Sequence, residues 1–451
     1  MEKINLNEEI LERLLSEMTD YTLDEVNTTE ALKYLKEILK GISSKSEEHG
    51  VTVAYRDYRL KELNSFLNKI LKNINKGENL TYNDMHDIAA SRLTVLTLSD
   101  IYKVKDIINN RDDINVLEEK DYIKNPKASG YRSLHMILEV PVDTEHGTKY
   151  VKSEIQLRTI LQDMFAKLEW IIRYKGNCSE EDARKLERLS NTLSIFDFYL
   201  DDSLRDRKNT KEEISEIQLA QFRKVFDRLS GLYYDLHDKF YNQITDIIGD
   251  FDNRYNVLKK ESRIKPIESI VRKANEKNLG CTTEDVLYNI NDVIGFKLVC
   301  IDLEAAKSLV NKLLEGINNT ENLSVAETSD HFDTPKESGY RGYKISVAYN
   351  SPLSLGKPIK FEILVRTLFM DAWALHHDII YKDAEAKEKY GEVFKRLSDE
   401  FYSKEEELTK IRKNLSEEKD TKIDLVDTLY NYKNRKKARK LVLENTQKNE
   451  E

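Results

Sequence analysis

An Arg-x-Lys-x-x-x-Ser-x-x-x-Lys string occurs twice in this chain, at Arg59, Lys61, Ser65, Lys69 and again at Arg263, Lys265, Ser269, Lys273. The same ordered landmarks follow each copy. The offset is 204 between Arg59 and Arg263, 205 between Asp87 and Asp292, 209 between Tyr131 and Tyr340, and 208 between Glu154 and Glu362. Four landmarks on one near-constant period point to a duplicated domain, which the chain must fold twice.

The 451 residues leave each copy long enough for its own core. With 34% charged and 39% hydrophobic residues, 15 Gly and 6 Pro, the composition favours helix-rich globular units over a β sandwich or wholesale disorder. No apolar run approaches a membrane span, and the start MEKINLNEEILERLL reads as an acidic amphipathic helix rather than a signal peptide, so a cytoplasmic address is expected. The net charge of −9 argues mildly against a bulk nucleic-acid binder. Cys178, Cys281 and Cys300 lack paired short spacing and read as buried free thiols.

Helical periodicity marks residues 1–50 and the charged stretch 178–260, and two mixed segments lie at about 51–175 and 255–382. Thr94 to Leu96 and Phe296 to Val299 read as strands, and Met136 to Val142 with Val151 to Leu157 as a strand pair. The fold class expected is α+β. The expected divisions are N-terminal helices at 1–50, a first domain at 51–208, a second at 209–400 and a charged helical tail at 401–451, with the main boundary near Lys208 to Lys211.

The chemistry sits in the polar residues of those segments. Read as one helix, the first string puts Lys61, Ser65 and Lys69 on one face with Arg59 at its entrance, a grip for a polyphosphate. On a strand, Glu154, Gln156 and Arg158 share one side while Ile155 and Leu157 share the other, giving a site face and a core face. Asp87, also placed on a strand, and Glu154 are hard oxygen donors suited to Mg²⁺. In Lys127-Ala-Ser-Gly-Tyr-Arg-Ser-Leu-His135, Gly130 permits a tight loop and Tyr131 offers a flat ring flanked by Lys127, Arg132 and His135.

Together with Asp-Ile-Ala-x-x-Arg, Glu-Ile-Gln-x-Arg-Thr and an aromatic-Ala-x-x-Glu helix ending in Tyr-Lys, these motifs make both copies resemble the synthetase domain of the RelA/SpoT family, at the size of small alarmone synthetases. The resemblance implies a nucleotidyltransferase-like mixed sheet with helical flanks. It also implies transfer of pyrophosphate from ATP to the 3′-hydroxyl of GDP or GTP with Mg²⁺. On that basis Arg59 and Arg92 sandwich adenine, and Lys61, Ser65 and Lys69 hold the ATP phosphates. Asp87 binds Mg²⁺, Glu154 is a second ligand or the base, Tyr131 stacks on guanine, and Lys127, Arg132, His135 and Gln156 complete the acceptor side.

The second copy keeps Arg263, Lys265, Ser269, Lys273, Asp292, Lys336, Tyr340, Arg341, Glu362 and Arg366. It replaces Arg92 by Lys297, the loop Ser and His by Gly342 and Lys344, and Gln156 by Leu364. Its closing helix is one residue shorter, Trp373 to Tyr381 against Phe165 to Tyr174. The expectation is a tandem alarmone synthetase whose first domain is the main catalyst and whose second is weakened, altered or regulatory, packed as an internal pseudo-dimer. Homo-oligomers stay open. Two alternatives stand beside this reading, an enzyme that pyrophosphorylates the 3′ end of tRNA and a non-catalytic nucleotide-binding regulator. No membrane partner is expected.

Overall fold

The alternating pattern of Val53-Ala-Tyr-Arg-Asp-Tyr-Arg-Leu60 opens a five-stranded mixed sheet in the computed structural model, which describes residues 6–145, 147–175, 179–204, 215–251, 256–350, 357–380, 384–416, 425–434 and 436. The first copy runs α1 (Glu8–Leu23), α2 (Glu25–Glu48), β1 (Val53–Leu60), α3 (Leu63–Asn75), β2 (Ala89–Val95), α4 (Leu98–Asn109), β3 (Asn115–Asp121), β4 (Leu134–Thr144), β5 (Gly147–Thr159), α5 (Ile160–Lys175) and α6 (Glu180–Leu204). The second runs α7 (Glu216–Ile248), β6 (Val257–Ile264), α8 (Ile267–Glu276), β7 (Ile294–Cys300), α9 (Leu303–Asn319), β8 (Leu323–Asp330), β9 (Tyr343–Tyr349), β10 (Ile359–Thr367), α10 (Leu368–Ile380) and α11 (Ala384–Ser416).

The two sheets have one topology, β1-β2-β5-β4-β3 and β6-β7-β10-β9-β8. In each, the second of the four neighbouring pairs is parallel, β2 with β5 and β7 with β10, and the other three are antiparallel. This is the expected α+β class. The chain divides into two compact units, one of Met1–Ala166, Ala183–Arg205 and Glu418–Glu451, the other of Lys167–Asp182 and Asp206–Glu417. The expected boundary at Lys208 to Lys211 lies outside the described residues, as do Cys178 and Tyr381 and the side chain of Tyr174.

Period-two patterning decides which sheet face becomes a site. In the first unit Leu93, Val95, Leu134, Met136, Leu138, Ile155 and Leu157 turn to one face and pack with Leu35, Leu39 and Ile42 of α2 and Ile101, Val104 and Ile108 of α4. Their neighbours on β4 and β5 turn to the opposite, polar face. In the second unit Phe240 of α7 stacks on Phe361 of β10, with ring centroids 4.1 Å apart.

The tail departs from the expected division. Residues 401–416, expected to open a separate charged tail, continue α11 and bury Phe401, Leu408 and Ile411. The helical stretch 425–434 belongs to the first unit, where Leu425 and Leu429 are wholly buried among Leu14, Met18, Phe66, Leu67 and Ile70. Burial of a leucine is worth about 1.5–3 kcal/mol. The Leu425 amide also donates to Asn64 Oδ1 on α3 at 3.2 Å, and Tyr432 donates its hydroxyl to Glu12 of α1 at 2.6 Å. Cys300 is buried as expected, but Cys281 is only half-buried. Among the described residues no helix is long and apolar enough to cross a membrane.

Candidate active site

The repeated basic string is not one helix. Arg59 is the last residue but one of β1, Lys61 lies in the connection, and only Ser65 and Lys69 ride on α3. The break is physical: Phe66, Leu67, Ile70 and Leu71 give α3 its buried face, leaving Ser65 and Lys69, one turn apart, on the other. In the second copy Pro266 caps α8 and forbids helix before it. Asp87, expected on a strand, stands two residues before β2. The Lys61 amide donates to the Ile88 carbonyl at 2.8 Å, which carries the lysine alongside that aspartate.

Asp87 lies between two ammonium groups, Lys61 Nζ at 2.6 Å and Lys69 Nζ at 3.1 Å. Burial alone would raise the pKa of this carboxyl, but the two lysines hold it far below the usual carboxylate range. The second copy repeats the arrangement: Asp292 takes Lys265 at 2.5 Å and Lys273 at 2.7 Å, and its pKa is again lowered against the pull of burial.

Beside this end lies an open cleft of about 280 Å³ lined by Asp57, Arg59, Ala90, Ser91, Arg92 and Gln156. Arg59 is exposed, and the β1–β2 register sets Arg59 opposite Ala90 and Asp57 opposite Arg92. Arg92 is anchored by Asp57 at 3.5 Å and by Asp163 at 2.9 Å.

The other half of the face is a continuous row across β4 and β5. Gln156 donates to Glu154 at 2.5 Å, and Arg158 donates to Gln156 Oε1 at 2.7 Å and to the Tyr131 hydroxyl oxygen at 2.6 Å. His135 lies directly opposite Gln156, with Nδ1 3.0 Å from Glu154 Oε2 and Nε2 2.8 Å from the Tyr131 hydroxyl. One proton arrangement satisfies all of these contacts: the tyrosine accepts from Arg158 and donates to His135 Nε2, and His135 donates from Nδ1 to the carboxylate. Burial would raise Glu154, but the bonds from His135 and then Gln156 bring it down to about 2. It is therefore ionised at neutral pH.

Tyr131 leaves the loop where Gly130 takes φ +85°. A Cβ on Gly130 would meet Ser190 Cβ at 2.7 Å, so both conformation and space demand glycine. The tyrosine is 9% exposed, with Tyr122 and His135 edge-on to its ring and Lys127 Nζ 4.7 Å from its centroid. Arg132, expected to complete the acceptor side, points the other way. It donates to Gly130 O at 3.2 Å, Ser190 Oγ at 2.5 Å and Asn191 Oδ1 at 3.3 Å, so it anchors the loop to α6. Arg341 does likewise, donating to the Phe332 and Asp333 carbonyls and pairing with Asp399 on α11.

In the second unit the row is different. Lys344 reaches Glu362 at 3.4 Å, with side chains 42% and 22% exposed, where His135 and Glu154 are 9% and 11% exposed. Arg366 is 3.5 Å from the Tyr340 hydroxyl, and Lys336 Nζ lies 5.2 Å from its ring centroid. Lys297 bridges Glu261 at 2.7 Å and Asp371 at 3.0 Å, as Arg92 bridges Asp57 and Asp163. Arg263 is the last residue but one of β6, as Arg59 is of β1, and Ser269 accepts from Arg272 at 3.3 Å.

The sequence reading missed four members, Asp57 and Asp163 with their equivalents Glu261 and Asp371. They recur at the same period as the motifs, which is the signal that would have found them.

The pattern described as "Region found in RelA / SpoT proteins" matches residues 58–179 and 262–386, and so takes in both rows. The chain belongs to the RelA/SpoT family. Among its relatives, GTP pyrophosphokinase YwaC of Bacillus subtilis is 43% identical over 123 residues, covering 26% of this chain and 57% of that relative. GTP pyrophosphokinase YjbM of the same organism is 34% identical over 200 residues, covering 43% of this chain and 90% of YjbM. Among solved structures, that of small alarmone synthetase 1 from Bacillus subtilis bound to its product pppGpp is 30% identical, covering 41% of this chain and 96% of that one at a TM-score of 0.37. Each RelA/SpoT region of this chain therefore carries the lysine-bound aspartate, and only the first carries the complete tyrosine, histidine and glutamate row.

Among the described residues no cluster of three or more His, Cys, Asp or Glu could hold a metal ion unaided. Asp87 and Glu154 are both ionised oxygen donors, which fits a hard cation that keeps much of its water and takes further oxygens from phosphate.

Proposed function

We propose that the first unit transfers the β,γ-pyrophosphate of ATP to the ribose 3′-hydroxyl of GDP or GTP, and that the second is a weakened or regulatory copy. The observation that carries this reading is the unbroken row from Tyr131 through His135 to Glu154 in the first unit, and its replacement by an exposed Lys344–Glu362 pair in the second. The relatives named GTP pyrophosphokinase support the same reaction class.

In the reaction the 3′-oxygen bonds to the β-phosphorus while the bond from that phosphorus to the α,β-bridging oxygen breaks, and AMP leaves. Arg59 and Arg92 offer planar cations to the two faces of adenine across the cleft. Lys61, Ser65 and Lys69 meet the phosphates, and a phosphate arriving there gives the two lysines a second anion beside Asp87. Asp87, with Glu154 as second ligand, would hold Mg²⁺, which when bound neutralises charge on the transferring phosphates. Tyr131, with Lys127 above it, receives the acceptor base; Gln156 and His135 position the ribose. Glu154, held near pKa 2, is a poor proton acceptor while His135 and Gln156 bind it. It is assigned to orienting the hydroxyl and holding the cation, and the departing proton passes to solvent.

The test separates products from γ-labelled ATP and Mg²⁺ with GDP, GTP or deacylated tRNA as acceptor. Label on the guanine nucleotide is expected. Label on tRNA alone, or on no acceptor, would overturn the reading.

A further inference from the structure

The two halves of the first site meet at one buried carboxylate. Asp163, in the first turn of α5, has a side chain only 1% exposed. Its Oδ1 lies 2.9 Å from Arg92 Nη1 and 3.0 Å from Arg158 Nη1. Arg92 lines the cleft beside Arg59, whereas Arg158 belongs to the row, with Nη2 on Gln156 and on the Tyr131 hydroxyl.

A guanidinium is planar, so fixing one edge sets the direction of the others. Two such cations brought this close repel each other, and the anion they share holds both, with Asp57 as a second and longer partner of Arg92 at 3.5 Å. The anion is itself fixed: Thr159 Oγ1 accepts from the Gln162 amide at 3.1 Å and donates to Asp197 at 2.8 Å, which locks the junction of β5 and α5. The device recurs in the second unit, where Asp371 lies 3.0 Å from Lys297 and 3.3 Å from Arg366. There one arginine has become a lysine and the shared carboxylate remains.

We propose that Asp163 is a positioning residue that couples the ATP side of the site to the acceptor side. This rests on the two-nucleotide reading given above. A base stacked on Arg92 restrains that guanidinium against Asp163. The carboxylate then restrains Arg158, and Arg158 restrains the Tyr131 hydroxyl. Order introduced by either nucleotide thus lowers the cost of ordering the groups that receive the other, which is a coupling free energy between two sites.

The test is a grid of initial rates over ATP and GDP concentrations with Mg²⁺, on the full chain and its Asp163→Asn variant. The grid yields the factor by which saturation with one nucleotide tightens apparent binding of the other. For the wild type this factor is expected to be about 5-fold or more, within the usual range for coupled sites. For Asp163→Asn it should fall to about one while a cooperative melting transition persists. A variant that loses stability or turnover but keeps the wild-type factor would show a merely structural aspartate and overturn the proposal. So would a wild-type factor of one. If Asp163→Asn does not fold, Tyr131→Phe carries the test, because it keeps the ring and removes the last link; an unchanged factor there overturns the proposal. Absence of any transfer by the wild type brings down the functional reading first, and the proposal with it.

Discussion

The two units are near copies where Asp87 and Asp292 sit, each carboxylate held by two lysines, and they differ on the strand row beyond. The first row joins Tyr131, His135, Glu154, Gln156 and Arg158 through bonds of 2.5–3.0 Å on nearly buried groups. The second has a lysine and a leucine in place of the histidine and glutamine, and a more exposed carboxylate. A polyphosphate site asks for charge at the right place, which two flexible lysines supply with little geometric demand. Orienting one hydroxyl asks for a chain of directed hydrogen bonds, and two substitutions are enough to dismantle it.

The largest effect that can sharpen this comparison comes from making the first row like the second. His135→Lys should cut synthesis by roughly 100-fold, the loss that follows when the groups orienting a reacting hydroxyl are misplaced, and leave the fold intact. Product assays alongside circular dichroism check this, and near wild-type rates would show that the row is not what separates the units. Leu429→Ala comes next. It should destabilise the first unit by about 2–5 kcal/mol, because the leucine is fully buried against α1 and α3. Denaturant unfolding should show the loss in one transition and spare the other.

A pH effect common to both units follows in size. Burial pushes Asp197 up to about 8 although Thr159 donates a hydrogen bond to it, and burial pushes Glu405 up to about 8 as well. Each folded-state pKa lies above its unfolded value, so the protonated acids contribute stability that is complete below about pH 4 and lost as pH rises through 8. Melting temperature should therefore fall in both units between about pH 4 and 8. Asp197→Asn should flatten that fall in the first unit only. Glu154 behaves oppositely: depressed to about 2, it stabilises above its ordinary range and loses that contribution as pH falls from about 4.5 towards 2. The smallest effect is expected of Arg92→Lys, which keeps a cation for Asp163 but removes the plane, as Lys297 does in the second unit. The KM for ATP should rise by about 2- to 30-fold, since a cation–π contact is worth about 0.5–2 kcal/mol.

Much of this was legible in the sequence, because a strand's alternation is rigid. Glu154, Gln156 and Arg158 could be placed on one face from their spacing alone, and the loop glycine announced the turn that presents Tyr131. The basic string misled because intervals of four imitate a helix even where a strand end supplies the first residue. Pro266 in the second copy carried the correction, since no helix can run through its amide. Arg132 and Arg341 misled by proximity to the tyrosine, while their own bonds run to α6 and α11. Asp57 and Asp163 were hidden because their partners lie on other elements, and no local pattern names a partner across a sheet. The docking of residues 425–434 on α1 and α3 was equally illegible, for an amphipathic helix declares a buried face without saying what buries it.

The two units differ most in which of them does the chemistry. Label transfer from γ-labelled ATP to GDP should be compared in the Asp87→Asn and Asp292→Asn chains, each verified as folded. Transfer abolished by the first substitution and largely kept with the second is the expected result; transfer kept with Asp87→Asn and lost with Asp292→Asn would contradict it.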